Sequence, residues 1–196
     1  EVIKYALFKD GFLARTSVPL RMYFRTREGL ETPDATISIL PFLYEMVGRQ
    51  RRIAKRQGIT MNVNVLRSES LGSIHVKSAD PAEPPAIKFN FLSSQHDRDG
   101  LLAAMRKGRE LMATSPVAEM TGEEIAPGID KQTDEELLEW VRNNAETTYH
   151  PVGTCKMGSD PMAVVDAQLR VHGIEGLRIA DASIMPTLTS GNTNAP

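Results

Sequence analysis

The run ITMNVNVLR, residues 59–67, alternates apolar and polar side chains with a period of two. Ile59, Met61, Val63 and Val65 fall on one face of an extended chain, and Thr60, Asn62 and Asn64 fall on the other. Such a segment cannot satisfy both faces as a helix, so it predicts a strand with one side against a core and one polar side. The same period recurs in TISILPF, in SIHVKS through Ile74 and Val76, and in AIKFNFL through Ile87, Phe89 and Phe91. The polar connection SESLG, ending at Gly72, predicts an antiparallel junction between ITMNVNVLR and SIHVKS. A sheet of about four strands is the expectation.

Helical periodicity carries the rest of the first 144 residues. From Ser94 to Ala113 an apolar stripe runs through Leu101, Leu102, Met105, Leu111 and Met112, and Pro116 stops it. In TDEELLEWVRNNAE, Thr133 and Glu136 have capping-box spacing, acidic residues fill the first turn and Asn143 and Asn144 mark the end. Leu137, Leu138 and Val141 supply its buried face, and Trp140 beside them belongs to a core or a domain seam. The opening EVIKYALFKDG also has a helical pattern. Beyond Ala145 the texture changes to loops, with one short apolar run, Leu177, Ile179 and Ala180, expected as a buried strand that ends at Asp181. Ligands bind at such carboxyl ends in open α/β sheets.

Composition excludes several functions. Twenty-three basic residues against twenty-five acidic ones give no field to steer the chain to nucleic acid or anionic lipid. The one dense basic run, GRQRRIAKR, places Arg49, Arg51, Arg52, Lys55 and Arg56 on an expected short solvated helix with no aromatic residue for base stacking. No apolar run is long enough for a bilayer-spanning helix, and no secretory leader opens the sequence, so a cytoplasmic protein is the expectation. The lone Cys155 rules out an intramolecular disulfide and a CxxC metal site.

The stretch AETTYHPVGTCKMGSD, residues 145–160, raises the question of chemistry. Pro151 has no amide hydrogen and biases His150 toward extended backbone, so the imidazole is fixed at an element boundary where it can face a cleft. There it serves either as a base near neutral pH or as a packed, hydrogen-bonded side chain. A His150–Cys155 thiol pair is disfavoured, because such partners are seldom five residues apart in one loop. His75, His96 and His172 fall in strand, helix-start and turn patterns and read as structural or exposed. SGNTN is the second candidate: Asn192 and Asn194 alternate about Thr193 after Gly191, either presenting amides to a ligand or forming a polar turn.

Three segments in fixed order, YHPVGTCKMG, VVDAQLRVHGIEGLRIADASIMP and SGNTNAP, closely resemble the carboxyl-terminal part of glucose-methanol-choline (GMC) flavin oxidoreductases, especially the choline-dehydrogenase-like alcohol dehydrogenases. LRSESLGSIHVKSADPAEPPAIKFNFL resembles that family's substrate-domain strands. The resemblance implies that His150 is the catalytic histidine and Asn192 its companion, which in other members is histidine or asparagine. His150 then accepts or hydrogen-bonds the substrate hydroxyl proton while Asn192 holds the oxygen, and the carbon-bound hydrogen leaves as hydride. Asp181, Ala182, Ser183, Thr193 and Asn194 are implied as FAD contacts, much of it through backbone.

The implied fold is α+β: an antiparallel-rich sheet with helices on one face, residues 1–144 forming a substrate-binding domain. Residues 145–196 would be a catalytic loop and a return segment completing the FAD domain. The family's Rossmann GxGxxG segment does not occur in this sequence, and the chain stops at Pro196, so it is expected to be a piece whose FAD-binding domain lies elsewhere in the same polypeptide. Its partners would be a small-molecule alcohol and that domain, with self-association of the isolated piece through the surface thus uncovered. The implied activity is FAD-dependent oxidation of a primary alcohol, choline-like or simple, to an aldehyde. The alternative is a ligand-binding or interaction module that retains the fold without catalysis.

Overall fold

The computed structural model describes residues 2–16, 18–47 and 50–196. The chain divides into two compact units, each assembled from separated segments. One comprises Glu1–Val65 and Leu101–Ile129, the other Leu66–Gly100 and Asp130–Pro196.

The first unit holds helix α1 (Val2–Phe8) and strands β1 (Leu20–Phe24), β2 (Ala35–Leu40), β3 (Tyr44–Val47), β4 (Gln50–Ile53) and β5 (Thr60–Val65). β2 is the centre of a three-stranded antiparallel sheet in the order β1-β2-β5. Its register places Ile37 opposite both Met22 and Val63, and Ser38 opposite both Arg21 and Asn62. The alternation of β5 therefore does what the sequence requires. Met61 and Val63 face the helix of residues 95–112, where a Cβ on Gly108 would come 2.9 Å from the Met61 sulfur. A side chain at 108 would require the Met61 thioether to move aside. Ile37 beneath it is 1% exposed, worth about 1.5–3 kcal/mol of burial. On the opposite face Thr36 and Ser38 are also buried, and the Arg21 Nε–H donates to Ser38 Oγ at 3.0 Å.

That helix, α2 (Gln95–Met112), is followed by the short α3 (Val117–Met120) and a loop anchored by a two-pronged ion pair. Arg109 donates from Nε to Glu124 Oε2 at 2.9 Å and from Nη2 to Glu124 Oε1 at 2.8 Å. The helix limits match the expected span closely.

In the second unit, β6 (Ser73–His75) and β7 (Ala86–Lys88) form a hairpin with Ile74 opposite Ile87, both exposed. Just beyond it Asn90 takes a φ of 56°, and the Phe89 and Phe91 rings stack with centroids 5.0 Å apart. Helix α4 (Asp134–Asn144) starts with the expected capping box: the Glu136 amide donates to Thr133 Oγ1 at 3.3 Å, and the Thr133 amide donates to Glu136 Oε2 at 2.9 Å. Its Leu137 and Val141, one turn apart, are buried. Residues 145–196 contain no extended ladder among the described residues. They are held by single bridges, Met157 with Val165, Val165 with Val171, and Arg170 with Arg178. Val165, shared by two bridges, is fully buried.

Three local expectations change. The four expected strands do not form one sheet: β5 pairs with β2, and β6 pairs with β7 alone, because the SESLG connection is drawn toward α2 rather than turning back on β5. The basic run is not a helix. Arg52 and Ile53 lie in β4, paired with Glu45 and Tyr44 of β3, since cross-strand pairing outweighs local propensity; Arg49 lies outside the described residues. Leu177 and Ala180 are exposed rather than buried, because a single bridge at Arg178 is all that flanks this run. Among the described residues no helix is long and apolar enough to cross a membrane.

Candidate active site

The loop that begins at Tyr149 is set by its backbone. Tyr149 adopts a φ of 61°, unusual for a bulky residue, and its amide donates to Thr147 Oγ1 at 3.0 Å. Gly153, at a φ of 88°, turns the chain after Pro151 in a conformation that side chains disfavour. The loop then docks on a 3-10 turn, Ala182–Ile184: the Cys155 amide donates to Ser183 O at 3.0 Å and the Met157 amide to Ile184 O at 2.7 Å. Cys155 is thus a half-buried free thiol in a loop held by its own backbone.

Asp181 caps that turn, accepting from the Ser183 amide at 2.8 Å. Hydrogen bonds from the Ser183 hydroxyl and amide hold the Asp181 carboxyl below the usual carboxylate range. The residue is exposed.

The third segment is the SGNTN run. Thr193 Oγ1 lies 3.0 Å from His150 Nδ1, and the Thr193 amide donates toward the same nitrogen at 3.5 Å. His150 is half-buried, and no hydrogen bond engages its Nε2 among the described residues. The sequence reading gave Thr193 to the cofactor; the structure also gives its hydroxyl a partner in the imidazole. Sequence had no signal for that pairing. The two contacts belong to different tautomers: the amide contact needs a bare Nδ1. In the tautomer whose Nδ1 donates its hydrogen to Thr193 Oγ1, the 3.5 Å amide approach is no hydrogen bond and Nε2 carries the basic lone pair. Asn192 and Asn194, on either side of Thr193, are exposed, and a Cβ on Gly191 would meet nothing within 4 Å. His150 and the SGNTN run, 43 positions apart at their contact, are thereby brought together, with the exposed Asn192 and Asn194 flanking Thr193 in the chain.

The other histidines are occupied differently. His75 is exposed in β6, His96 Nδ1 is 3.9 Å from Glu69 in the first turn of α2, and His172 Nε2 lies 3.1 Å from Gly158 O. Among the described residues no group of His, Cys, Asp and Glu could hold a metal.

Comparison with known proteins places this arrangement. An oxygen-dependent choline dehydrogenase of Escherichia coli O45:K1 (strain S88 / ExPEC) is 46% identical over 173 residues, covering 88% of this chain and 30% of the relative. The chain thus spans about a third of the length of such relatives. Pyridoxine 4-oxidase from Mesorbium loti superposes with a TM-score of 0.78 at 25% identity, over 88% of this chain and 34% of that one. An FAD-dependent oxidoreductase from Chaetomium thermophilum gives a TM-score of 0.67 at 25% identity, over 82% of this chain and 25% of that one. The mixed helical and antiparallel architecture seen here is therefore that of the expected fold class. Residues 68–196, which include His150, the Asp181 turn and the SGNTN run, match the GMC oxidoreductase family, and the chain belongs to that family.

Proposed function

We propose that the polypeptide carrying this chain oxidises a primary alcohol, choline-like or simple, to the aldehyde with FAD as the cofactor. The observation that carries this reading is the His150–Thr193 contact, which holds the imidazole through Nδ1 against the residue that follows Asn192, with no hydrogen bond on Nε2 among the described residues. The chemistry of the residues suits the isoalloxazine end of the cofactor: Ala182 and Gly191 are small, Gly191 faces open space, and Ser183, Thr193 and Asn194 offer hydroxyl and amide groups. Residues 1–144 would then act in substrate binding, and residues 145–196 would carry the catalytic loop and return to the FAD-binding domain.

A neutral alcohol is a poor hydride donor, and partial alkoxide character pushes electron density into the breaking C–H bond. His150 Nε2 takes the hydroxyl proton. Thr193 Oγ1 keeps the imidazole oriented and accepts the Nδ1 hydrogen as positive charge develops. Asn192 donates its amide hydrogen to the oxygen, a contact that strengthens as the oxygen gains charge. FAD, when bound, supplies the acceptor for the hydride. The test is anaerobic mixing of the flavin-loaded full-length protein with choline and with simple alcohols, following flavin bleaching. His150→Ala should slow the reduction by about 10²–10⁴ with flavin content retained. Unchanged reduction would remove His150 from the reaction.

A further inference from the structure

Residues 190–194 carry the proposed catalytic asparagine and the threonine that orients the histidine, yet they belong to no helix or strand. Among the described residues, besides the local bond from the Thr189 hydroxyl to Gly191 O, side-chain hydrogen bonds tie this segment to two distant residues. One bond is the His150–Thr193 contact itself. The other comes from Arg67, whose Nε–H donates to Ser190 Oγ at 2.9 Å across 123 positions of sequence.

Arg67 stands on a rigid base. It follows Leu66, which is nearly buried, and its φ of 53° turns the chain sharply away from the end of β5. The next three residues are tied to one carboxylate, Asp97 in the first turn of α2, which is 3% exposed. The Ser68 hydroxyl donates to Asp97 Oδ2, the Glu69 amide to Oδ1 at 2.9 Å and the Ser70 amide to Oδ2 at 2.9 Å. Ser70 Oγ in turn accepts from the Ser94 amide at 3.1 Å. A buried carboxylate that accepts from each of residues 68–70 fixes them, and therefore the point from which the Arg67 side chain departs. The guanidinium remains planar, so a bond from Nε, the nitrogen nearest the chain, has little freedom to follow a moving partner.

We infer that Arg67 is a positioning residue for the reaction proposed above, on which this inference rests. It touches neither alcohol nor cofactor; through Ser190 it holds the Asn192–Thr193 arm in the place where Thr193 meets His150. A loose arm would still permit binding but would populate the reactive arrangement less often, so the loss should fall on kcat rather than KM.

The experiment is a double-mutant cycle in the flavin-loaded full-length protein with Arg67→Met, which keeps an aliphatic stem, and Ser190→Ala, which removes the acceptor. Each single variant should lower kcat roughly tenfold, the worth of one charge-assisted hydrogen bond, with KM and flavin content within about twofold. The double variant should be no slower than either single one, because both remove the same bond. Ser190→Thr, which retains an oxygen, should stay within about threefold of wild type. In protein labelled with ¹⁵N-histidine, the His150 ring signals should move in Arg67→Met and Ser190→Ala, and remain in place in Arg98→Met, whose guanidinium caps the carbonyls of Leu92 and Ser93.

Wild-type kcat in Arg67→Met, additive losses in the cycle, or unmoved His150 signals would each overturn the positioning role. Because the bond is cut from either end, poor folding of one variant leaves the other to decide. A wild-type protein that oxidises no alcohol, together with His150 signals that respond to Arg67→Met, would sink the reaction and keep the coupling. Normal alcohol oxidation in Arg67→Met would do the reverse.

Discussion

His150 and Thr193 are 43 positions apart in the chain, and their Nδ1 and Oγ1 atoms are 3.0 Å apart in the fold. In the proposed reaction this contact would set which imidazole nitrogen acts as the base, so it gives the most direct test of how the histidine is used. Thr193→Val keeps the shape and removes the oxygen. It should lower kcat/KM for the alcohol about tenfold, whereas Thr193→Ser should stay within about threefold. Steady-state kinetics of both variants, normalised to bound flavin, make the comparison; equal activities for valine and serine would show that the hydroxyl does not orient the ring.

Asp97 gives a prediction about stability. Burial pushes its carboxyl up, but the hydrogen bonds from Ser68, Ser70 and the amides of Glu69 and Ser70 outweigh that and hold it below its ordinary value of 3.8. A depressed folded pKa means that the stabilisation is complete above the unfolded value and is lost as pH falls through the folded one. Asp97→Asn should therefore cost about 2–4 kcal/mol at pH 7, since an amide cannot accept every one of these donors. The penalty should shrink below pH 4. Denaturant melts at pH 7 and pH 3 measure it, and a penalty that does not depend on pH would contradict the assignment.

Cys155 is expected to matter for packing and not for chemistry. Its amide fastens the loop to Ser183 O, while the thiol is a half-buried small group. Cys155→Ser should lower stability by about 1 kcal/mol and leave kcat within about threefold. A folded but inactive serine variant, with substrate protecting the wild-type thiol from alkylation, would assign the sulfur a catalytic part.

The 196-residue chain on its own is expected to bind FAD poorly. Its sequence has no GxGxxG turn to receive the pyrophosphate, and contacts to one end of a long flexible cofactor must offset the whole loss of its freedom. Flavin fluorescence titration should show no stoichiometric complex at micromolar protein. Tight binding with alcohol-dependent dye reduction would mean that the catalytic unit is contained within these residues.

The elements with strong local signals were legible. The capping box at Thr133 and Glu136, the stripe of α2 and the alternation of β5 each follow from spacing that only one backbone geometry satisfies. β1 was overlooked although Met22 and Phe24 alternate with Arg21 and Tyr23; as an edge strand it buries little, so its contrast is weak. β4 was misread because Arg52 and Ile53 acquire strand geometry only from pairing with β3. At the site, His150 and the SGNTN run stood out through Pro151 and Gly191. The hydroxyl contact of Thr193 and the reach of Arg67 did not, because a hydrogen bond between residues 123 positions apart leaves no local periodicity to read.

The two segments proposed to act in catalysis are secured unequally, and this bears on motion. The 150–158 loop is pinned by backbone bonds at Cys155, Met157 and Gly158, whereas residues 190–194 depend on side-chain bonds with Arg67, His150 and the neighbouring Thr189. Amide hydrogen exchange should accordingly be slow at Cys155 and Met157 and fast from Gly191 to Asn194. The histidine would then be a stationary element and the asparagine a moving one, so a bound alcohol would order the asparagine side and slow its exchange while leaving that of the histidine loop unaltered.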